Sequence, residues 1–312
     1  MEEKEIRVFR KKEKDYPRRL KEIPKPPEEL YVLGSLPGEQ MPSVAVIGAR
    51  DCSEYGKYVA AHLGNVFGRN GIQVISGMAR GIDGIAQEAV VDAGGRSFAV
   101  LGSGVDVCYP AGNRRLYEKL KAAGGILSEY PKGTPAIARH FPARNRIVSG
   151  LADAVIVVEA REKSGTLITV DMALEQGREV YVVPGRITDS LSVGCNRLIK
   201  LGAGILLDTD EFMEELKEIA VRRHTTCEDW ERGEKTQGLS MEVSGEDEKL
   251  LTGEPELLAI YNALDFSPAG PEQIRERLPK KYRDAQIPMQ LIRLCMENLA
   301  LQVSPGQFCR KG

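Results

Sequence analysis

The chain has 312 residues, 42% hydrophobic and 28% charged, the balance of a soluble globular protein with about two domains. A net charge of -2 excludes a uniformly basic nucleic-acid coat but leaves room for a local basic groove. No apolar run approaches the roughly 18 residues of a membrane span. The opening MEEKEIRVFRKKEKD lacks the apolar core of a signal peptide, so a cytoplasmic protein is expected.

Metal and disulfide chemistry find little support. The six cysteines (Cys52, Cys108, Cys195, Cys227, Cys295, Cys309) are scattered without a C-x-x-C pair, which reads as reduced thiols. Three histidines at 62, 140 and 224 show no paired-ligand spacing, so neither a metal nor another cofactor is expected.

Residues 1–42 carry Pro17, Pro24, Pro26 and Pro27, which exclude a long helix. They are expected to form an extended arm packed on a main domain spanning 43–220. From Ser43 the pattern alternates. Val44–Ile47, Gln73–Ser76, Phe98–Leu101, Ile126–Ser128, Val155–Val158, Glu179–Val183 and Ile205–Leu207 read as short apolar strands. Helices are expected over Glu54–Phe67, Asp83–Ala93, Asn113–Ala123, Leu167–Glu175 and Asp210–Ala220. This is the signature of an α/β fold, a parallel sheet with helices on both faces. Ligands of such sheets bind beyond the carboxyl ends of the strands. There the loops 48–50, 76–83, 102–110, 129–146, 159–166 and 184–195 would share one rim.

Residues 221–254 are charged and nearly free of apolar periodicity, the composition of a flexible linker, with the lone Trp230 inside it. A small domain at 255–312 follows. Its expected helices are Pro255–Leu264, with Leu257, Leu258, Ile260, Tyr261 and Leu264 on one face, then Pro271–Leu278 and Pro288–Leu299. The last should turn Leu291, Ile292, Leu294, Cys295 and Leu299 inward, ahead of a hairpin around Ser304-Pro305-Gly306. Three helices and a hairpin resemble a winged helix. The third helix has only Arg293 as a positive charge and also carries Glu297, which argues against DNA recognition through it.

The rim offers anion chemistry rather than catalysis. No G-x-x-x-x-G-K-[ST] occurs, and Gly48-Ala49-Arg50 ends the first strand where a dinucleotide fold has G-x-G-x-x-G. Gly77 and Gly81 would permit close approach by a phosphate, and Asp83 is placed to cap the next helix. Ser164-Gly165-Thr166 opens another helix N-terminus. Arg50, Arg80, Lys132, Arg139, Arg144, Arg146, Arg161 and Lys163 fall in or beside these loops, a number suited to several phosphates in a row. Phe141, next to Pro142 and Arg144, is the best candidate for stacking on a base, while core packing explains Tyr109 and Tyr130 equally well. Glu159 is expected to hold a neighbouring arginine. No rim serine has a convincing histidine base, and His140 stands alone.

The ordered motifs Ile47-Gly48-Ala49-Arg50, Ser76 to Asp83, Tyr109-Pro110, Ser128 to Pro131, Phe141 to Arg146, Val158-Glu159-Ala160, Ser164-Gly165-Thr166 and Val183 to Arg186 resemble the DNA-processing protein A (DprA/Smf) family. The resemblance covers about Tyr16 to Asp208 and includes Tyr16-Pro17 and Leu30 to Gly34. It implies an extended Rossmann-like domain that binds single-stranded DNA, forms a homodimer and loads the recombinase RecA during natural transformation, with no enzymatic step. By motif it implies a DNA site built from Arg50 and Phe141, Arg144, Asn145 and Arg146, lined by Gly77, Arg80, Gly81, Ser164, Gly165 and Thr166, with Lys132 nearby. One departure is Gln87, where the family commonly has histidine; a glutamine can keep a hydrogen bond there. A competing reading is a nucleotide-processing phosphoribohydrolase, whose Pro-Gly-Gly-x-Gly-Thr loop and helix glutamate are replaced here by Glu162 to Thr166 and a more distant Asp171. A third, a regulator acting through the winged helix, is weakened by that helix's charge.

Overall fold

The structure is a computed structural model that describes residues 5–224, 255–264, 269–282, 286–296, 299–304 and 307–310. Two compact units divide at residues 227 and 228. In the first, β1 (Ile6–Arg10), α1 (Arg18–Lys21) and β2 (Glu29–Gly34) precede the alternating core. That core runs β3 (Ser43–Ile47), α2 (Glu54–Arg69), β4 (Gln73–Ser76), α3 (Ile82–Asp92), β5 (Ser97–Val100), α4 (Arg114–Ala123) and β6 (Gly125–Ser128). It continues with α5 (His140–Leu151), β7 (Ala154–Val157), α6 (Gly165–Glu175), β8 (Glu179–Val182), α7 (Val193–Lys200), β9 (Gly204–Ile205) and α8 (Thr209–His224).

Nine strands form one sheet in the order β1-β2-β6-β5-β4-β3-β7-β8-β9. Every pair from β6 to β9 is parallel, whereas β1 pairs β2 and β2 pairs β6 antiparallel. The expected parallel sheet is thus extended at one edge by the proline-rich arm, which contributes strands of its own. Besides the short α1, two helices escaped the sequence pattern. The stretch read as a rim loop over 129–146 becomes α5 from His140 on, and the loop expected to end at Cys195 runs into α7. In α5, Pro142 hides the helix from a pattern reading. It sits in the first turn, where a missing N–H costs nothing.

The period of two along each central strand sorts side chains to opposite faces. Val44 and Val46 of β3, with Ala154 and Ile156 of β7, pack under α2, α3 and α8 against Leu63, Phe67, Ile82 and Leu216. Ala45, Ile47, Val155 and Val157 face the other way, onto Ile147 and Leu151 of α5 and Val170 of α6. All of these strand residues are at most 5% exposed. Helices α2 and α3 approach closely because Gly64 and Gly68 face α3. A Cβ on Gly64 would lie 2.7 Å from that of Ala89, and one on Gly68 would lie 2.7 Å from the Val90 carbonyl oxygen.

In the second unit, α9 (Pro255–Ala263), α10 (Pro271–Arg277) and α11 (Ile287–Met296) precede the antiparallel hairpin β10 (Ala300–Ser304) and β11 (Gln307–Arg310). Leu257, Ile260, Tyr261, Ile274, Leu291, Leu294 and Phe308 form its core. Ile292, expected inward, is 53% exposed, because α11 starts at Ile287 and its buried face follows Ile287, Leu291 and Leu294. The linker expected over 221–254 begins with the last turn of α8; from residue 225 on, Trp230 included, it lies outside the described residues.

The arm is tied down by a buried ion pair. Arg19, 6% exposed, reaches Asp153 at 3.4 Å and donates to Ser43 Oγ and to the carbonyls of Leu151, Glu39 and Met41. Asp153 accepts from Ser43 N at 2.9 Å and from Ser43 Oγ at 3.0 Å. Removing one member strands the other charge in the core, a loss of about 3–5 kcal/mol. Asp153→Ala is therefore expected to lower the urea-unfolding stability of the protein by that amount. A change under about 1 kcal/mol would show the pair to be dispensable.

Candidate nucleic-acid interface

Strand β3 lies between β4, which follows it, and β7, which comes later in the chain, so the loops leaving β3 and β7 diverge at their carboxyl ends. This is the switch point at which open α/β sheets place ligands. A cleft of about 620 Å³ opens there, lined by Ile47 to Arg50, by Gly77, Ala79 and Asp83, by Tyr109, by the first turns of α5, and by Lys163 to Thr166 with Thr169.

The floor holds two buried, opposite charges that attract each other without a direct salt bridge. Arg144 is 5% exposed and Asp83 is 9% exposed. Arg144 donates to the Gly77 carbonyl at 3.0 Å and to the Val100 carbonyl, while Asp83 accepts from Gly77 N at 3.1 Å. Burial pushes the Asp83 carboxyl above its usual range, opposed by the Arg144 charge and by hydrogen bonds from Ser76, Gly77 and Ala79. Burial likewise brings the Arg144 guanidinium down to about 10; Asp83 counters the shift and the neighbouring Arg50 charge adds to it. Asp83 thus serves the loop after β4. It does not cap α3, whose N-cap is Gly81, without a side-chain bond.

The glycines divide by role. A Cβ on Gly77 would overlap the Arg144 guanidinium and lie 2.7 Å from Asp83 Oδ2. Gly81 has φ 81°, and a Cβ there would overlap the Ala49 carbonyl oxygen. Both therefore serve close packing within the protein rather than approach by a phosphate. Around Gly165, by contrast, nothing lies within 4 Å of an added Cβ, so the start of α6 is open. Ser164 caps that helix by accepting from Thr166 N at 3.2 Å. Such a terminus favours an anion.

The basic residues also separate. Arg50 and Lys163 are exposed on the cleft wall. Arg80 is exposed beside it, paired with Asp51 at 2.5 Å, and lines a smaller recess of about 240 Å³ with Arg50, Tyr109 and Phe141. Asn145 lines the cleft, but Arg146 does not. Two residues along a helix turn the side chain by about 200°. Arg146 therefore points to the far side of α5. There it pairs with both Glu129 oxygens at 2.7 Å and donates to the Lys25 carbonyl at 2.9 Å. Lys132 is exposed in the turn after β6 and lines none of these recesses; Asp106 holds that turn through Gly133 N at 2.9 Å.

Phe141 is half-buried, with its ring centroid 5.3 Å from that of Tyr109 and Arg50 5.8 Å above it. Tyr109 is 46% exposed, which puts it on the rim. Tyr130 instead stacks on His140 at 4.0 Å, and His140 Nδ1 lies 3.0 Å from the Gly102 carbonyl oxygen. Glu159 holds no arginine among the described residues. It accepts from Ser53 N at 3.0 Å and from Ser53 Oγ, so it anchors the start of α2. Gln87 is buried and keeps its hydrogen bonds, accepting from Met78 N at 3.0 Å and donating to the Phe98 carbonyl at 3.0 Å. That fixes Met78, which has φ 52°. Lys163 was visible in the sequence only as one basic rim residue; its place directly before the Ser164 cap is the signal that sets it apart. Among the described residues no group of three metal-ligating side chains occurs, and no helix is long and apolar enough to cross a membrane.

This arrangement matches a known group. The profile of the DNA recombination-mediator protein A family fits residues 7–217. The chain belongs to that family. It is 42% identical over 203 residues to the DNA processing protein DprA of Streptococcus pneumoniae, covering 65% of this chain and 71% of that protein. It is 41% identical to Protein Smf of Synechocystis over 65% of this chain and 52% of that one. Among solved structures, DprA of Streptococcus pneumoniae superimposes with a TM-score of 0.64 at 40% identity, over 69% of this chain and 75% of that chain. DprA of Helicobacter pylori, whose structure concerns a single-stranded DNA binding mode, gives 0.62 at 30% identity over 69% and 96%. The region that fits the family profile lies within the first unit.

The Arg144–Asp83 pair makes a stability prediction. Arg144→Met should cost about 3–5 kcal/mol by leaving Asp83 buried alone, and Asp83→Asn in the same chain should restore part of the loss. Urea unfolding of the two single variants and the double variant reads this. Strictly additive losses would show that the two side chains do not depend on each other.

Proposed function

We propose that the chain binds single-stranded DNA in the switch-point cleft and acts, without catalysing a reaction, as a cytoplasmic recombination mediator. In this role it protects incoming strands and hands them to RecA during natural transformation. The observation that carries the reading is the wall of the cleft. Arg50 and Lys163 stand exposed beside the open start of α6 and the Phe141–Tyr109 pair, over a floor whose own charges are already paired. Phosphates fit the exposed cations and the helix terminus, and an unstacked base fits the aromatic pair. A duplex about 20 Å wide does not enter a cleft of this size. Family membership supports the role, and the Helicobacter pylori relative supports the ligand.

The hydrolase reading fares worse. Asp83, the acid in the cleft, is engaged by Gly77 and Arg144, and Asp171 is exposed and lines no part of the cleft. No acid/base pair among the cleft residues is left to act on a glycosidic bond. Within the second unit, three helices and a hairpin support a winged-helix module.

Anisotropy with a labelled oligothymidine, titrated with salt and challenged with duplex, tests the site. Arg50→Ala and Lys163→Ala should each weaken binding and reduce the salt slope by about 0.7 for every phosphate left without its cation. Arg146→Ala should leave the slope unchanged, since its charge is spent on Glu129. Equal affinity for duplex, with no effect of Arg50→Ala, would reject the assignment.

We further propose a homodimer through the β9 edge. That two-residue strand ends the sheet, and Leu201, Ile205 and Leu207, in or beside it, are 75%, 44% and 77% exposed. Leu207→Glu together with Leu201→Glu should convert a dimer to a monomer in light scattering. An unchanged mass would place the interface elsewhere.

A further inference from the structure

A second charged recess lies at the opposite ends of the strands from the cleft. It has a volume of about 160 Å³ and gathers four arginines, Arg18, Arg19, Arg178 and Arg223, beside the amino ends of β3, β7 and β8. Three carboxylates share the lining, Glu22, Glu39 and Asp153, so four positive charges meet three negative ones, a net of +1. The acids are taken. Arg18 Nε binds Glu22 at 3.2 Å, the Arg18 backbone N–H donates to Glu39 at 3.2 Å, and Asp153 is held by Ser43 and Arg19.

Arg178 and Arg223 make no salt bridge within 4 Å among the described residues. Arg178 is 5% exposed and donates to the Gly150 carbonyl at 2.8 Å, close to the carboxyl end of α5. Its buried Nε has no acceptor among the described residues. Arg223 donates to the Gly177 carbonyl just past α6. These contacts cap two helix ends and account for one N–H of each guanidinium, which carries five. Burial, with the like charges of Arg223 and Arg19, brings the Arg178 guanidinium down to about 10 against the pull of Asp153 and Glu22. Two guanidinium groups that line one recess, neither held in a salt bridge among the described residues, form a receptor for a compact dianion. The volume is below the roughly 300–1,000 Å³ of sites that enclose a whole drug-sized ligand.

We propose that this recess binds a phosphate group, clamped between Arg178 and Arg223, independently of the switch-point cleft. The group is either free phosphate or the terminal phosphate of a nucleotide chain. Both supply the same tetrahedral dianion, which accepts from both guanidiniums and removes their mutual repulsion.

Isothermal titration and thermal denaturation of the full chain with inorganic phosphate, at ionic strength held constant with chloride, test it. One phosphate per chain should bind and raise Tm. Arg223→Gln, at a half-buried position, should fold and bind phosphate at least about tenfold more weakly. Arg50→Ala should bind it as the unaltered protein does. Competition by a thymidine dinucleotide carrying a 5′-phosphate, and not by its 5′-hydroxyl form, would assign the source as a strand end. Competition by neither would assign free phosphate. An equal rise in Tm from acetate would overturn the proposal as a general salt effect. So would phosphate binding that survives Arg223→Gln, and binding that disappears in Arg50→Ala would move the ion to the cleft.

Discussion

The rim of this protein depends on burying one charge beside another. Arg144 reaches from α5 across the ends of β4 and β5, and the Asp83 carboxylate in the first turn of α3 attracts it through space. Each ion loses its water on entering this position, a penalty of several kcal/mol that only the partner and the surrounding hydrogen bonds offset. Four elements are held in register as a result, and Gly77 has no alternative because a side chain there would occupy the space of the pair. With its deepest charges matched, the cleft presents to a ligand only those that stand outside them, Arg50 and Lys163. The positive potential of the rim is thus concentrated on few residues, although the sequence contains many more arginines nearby.

The sheet was largely legible from residue pattern. Buried parallel strands read as unbroken β-branched runs, and the observed β3, β4 and β7 lie within one residue of the expected spans. What could not be read was phase. Arg144, Asn145 and Arg146 look like one basic cluster in a line of text, but on a helix they point in three directions, and only two of the three reach the cleft. That distinction required knowing that α5 is a helix, which its proline and lack of a polar N-cap conceal. Glu159 misled for a related reason. Its partner, Ser53, is 106 residues away, and nothing local marks a carboxylate that anchors a distant helix start. The C-terminal face was read correctly at Leu291 and Leu294 but not at Ile292, where an apolar residue is simply exposed.

The two faces of the sheet are not equivalent. The α2, α3 and α8 side is closed by glycine-mediated helix packing. The α5 and α6 side holds the floor and wall of the cleft at one end and the arginine-capped helix ends at the other. Helices α5 and α6 therefore present opposite chemistry at their two termini: an open, positively polarised start at the rim, and carbonyl-rich ends that recruit arginines below.

The arm has a consequence for how the chain is made. It is made before the alternating core, yet β2 pairs with β6, and Arg19 closes on the Leu151 carbonyl 132 residues further along. Until those residues emerge, β1 and β2 can pair only with each other, and Leu151 and Asp153 are not yet there to hold Arg19. Arg7 and Arg10 of β1, with Lys11 after it, put positive charge on this edge hairpin. This edge of the sheet is thus made before its partners and locked only once β6, α5 and the residues that follow it have appeared.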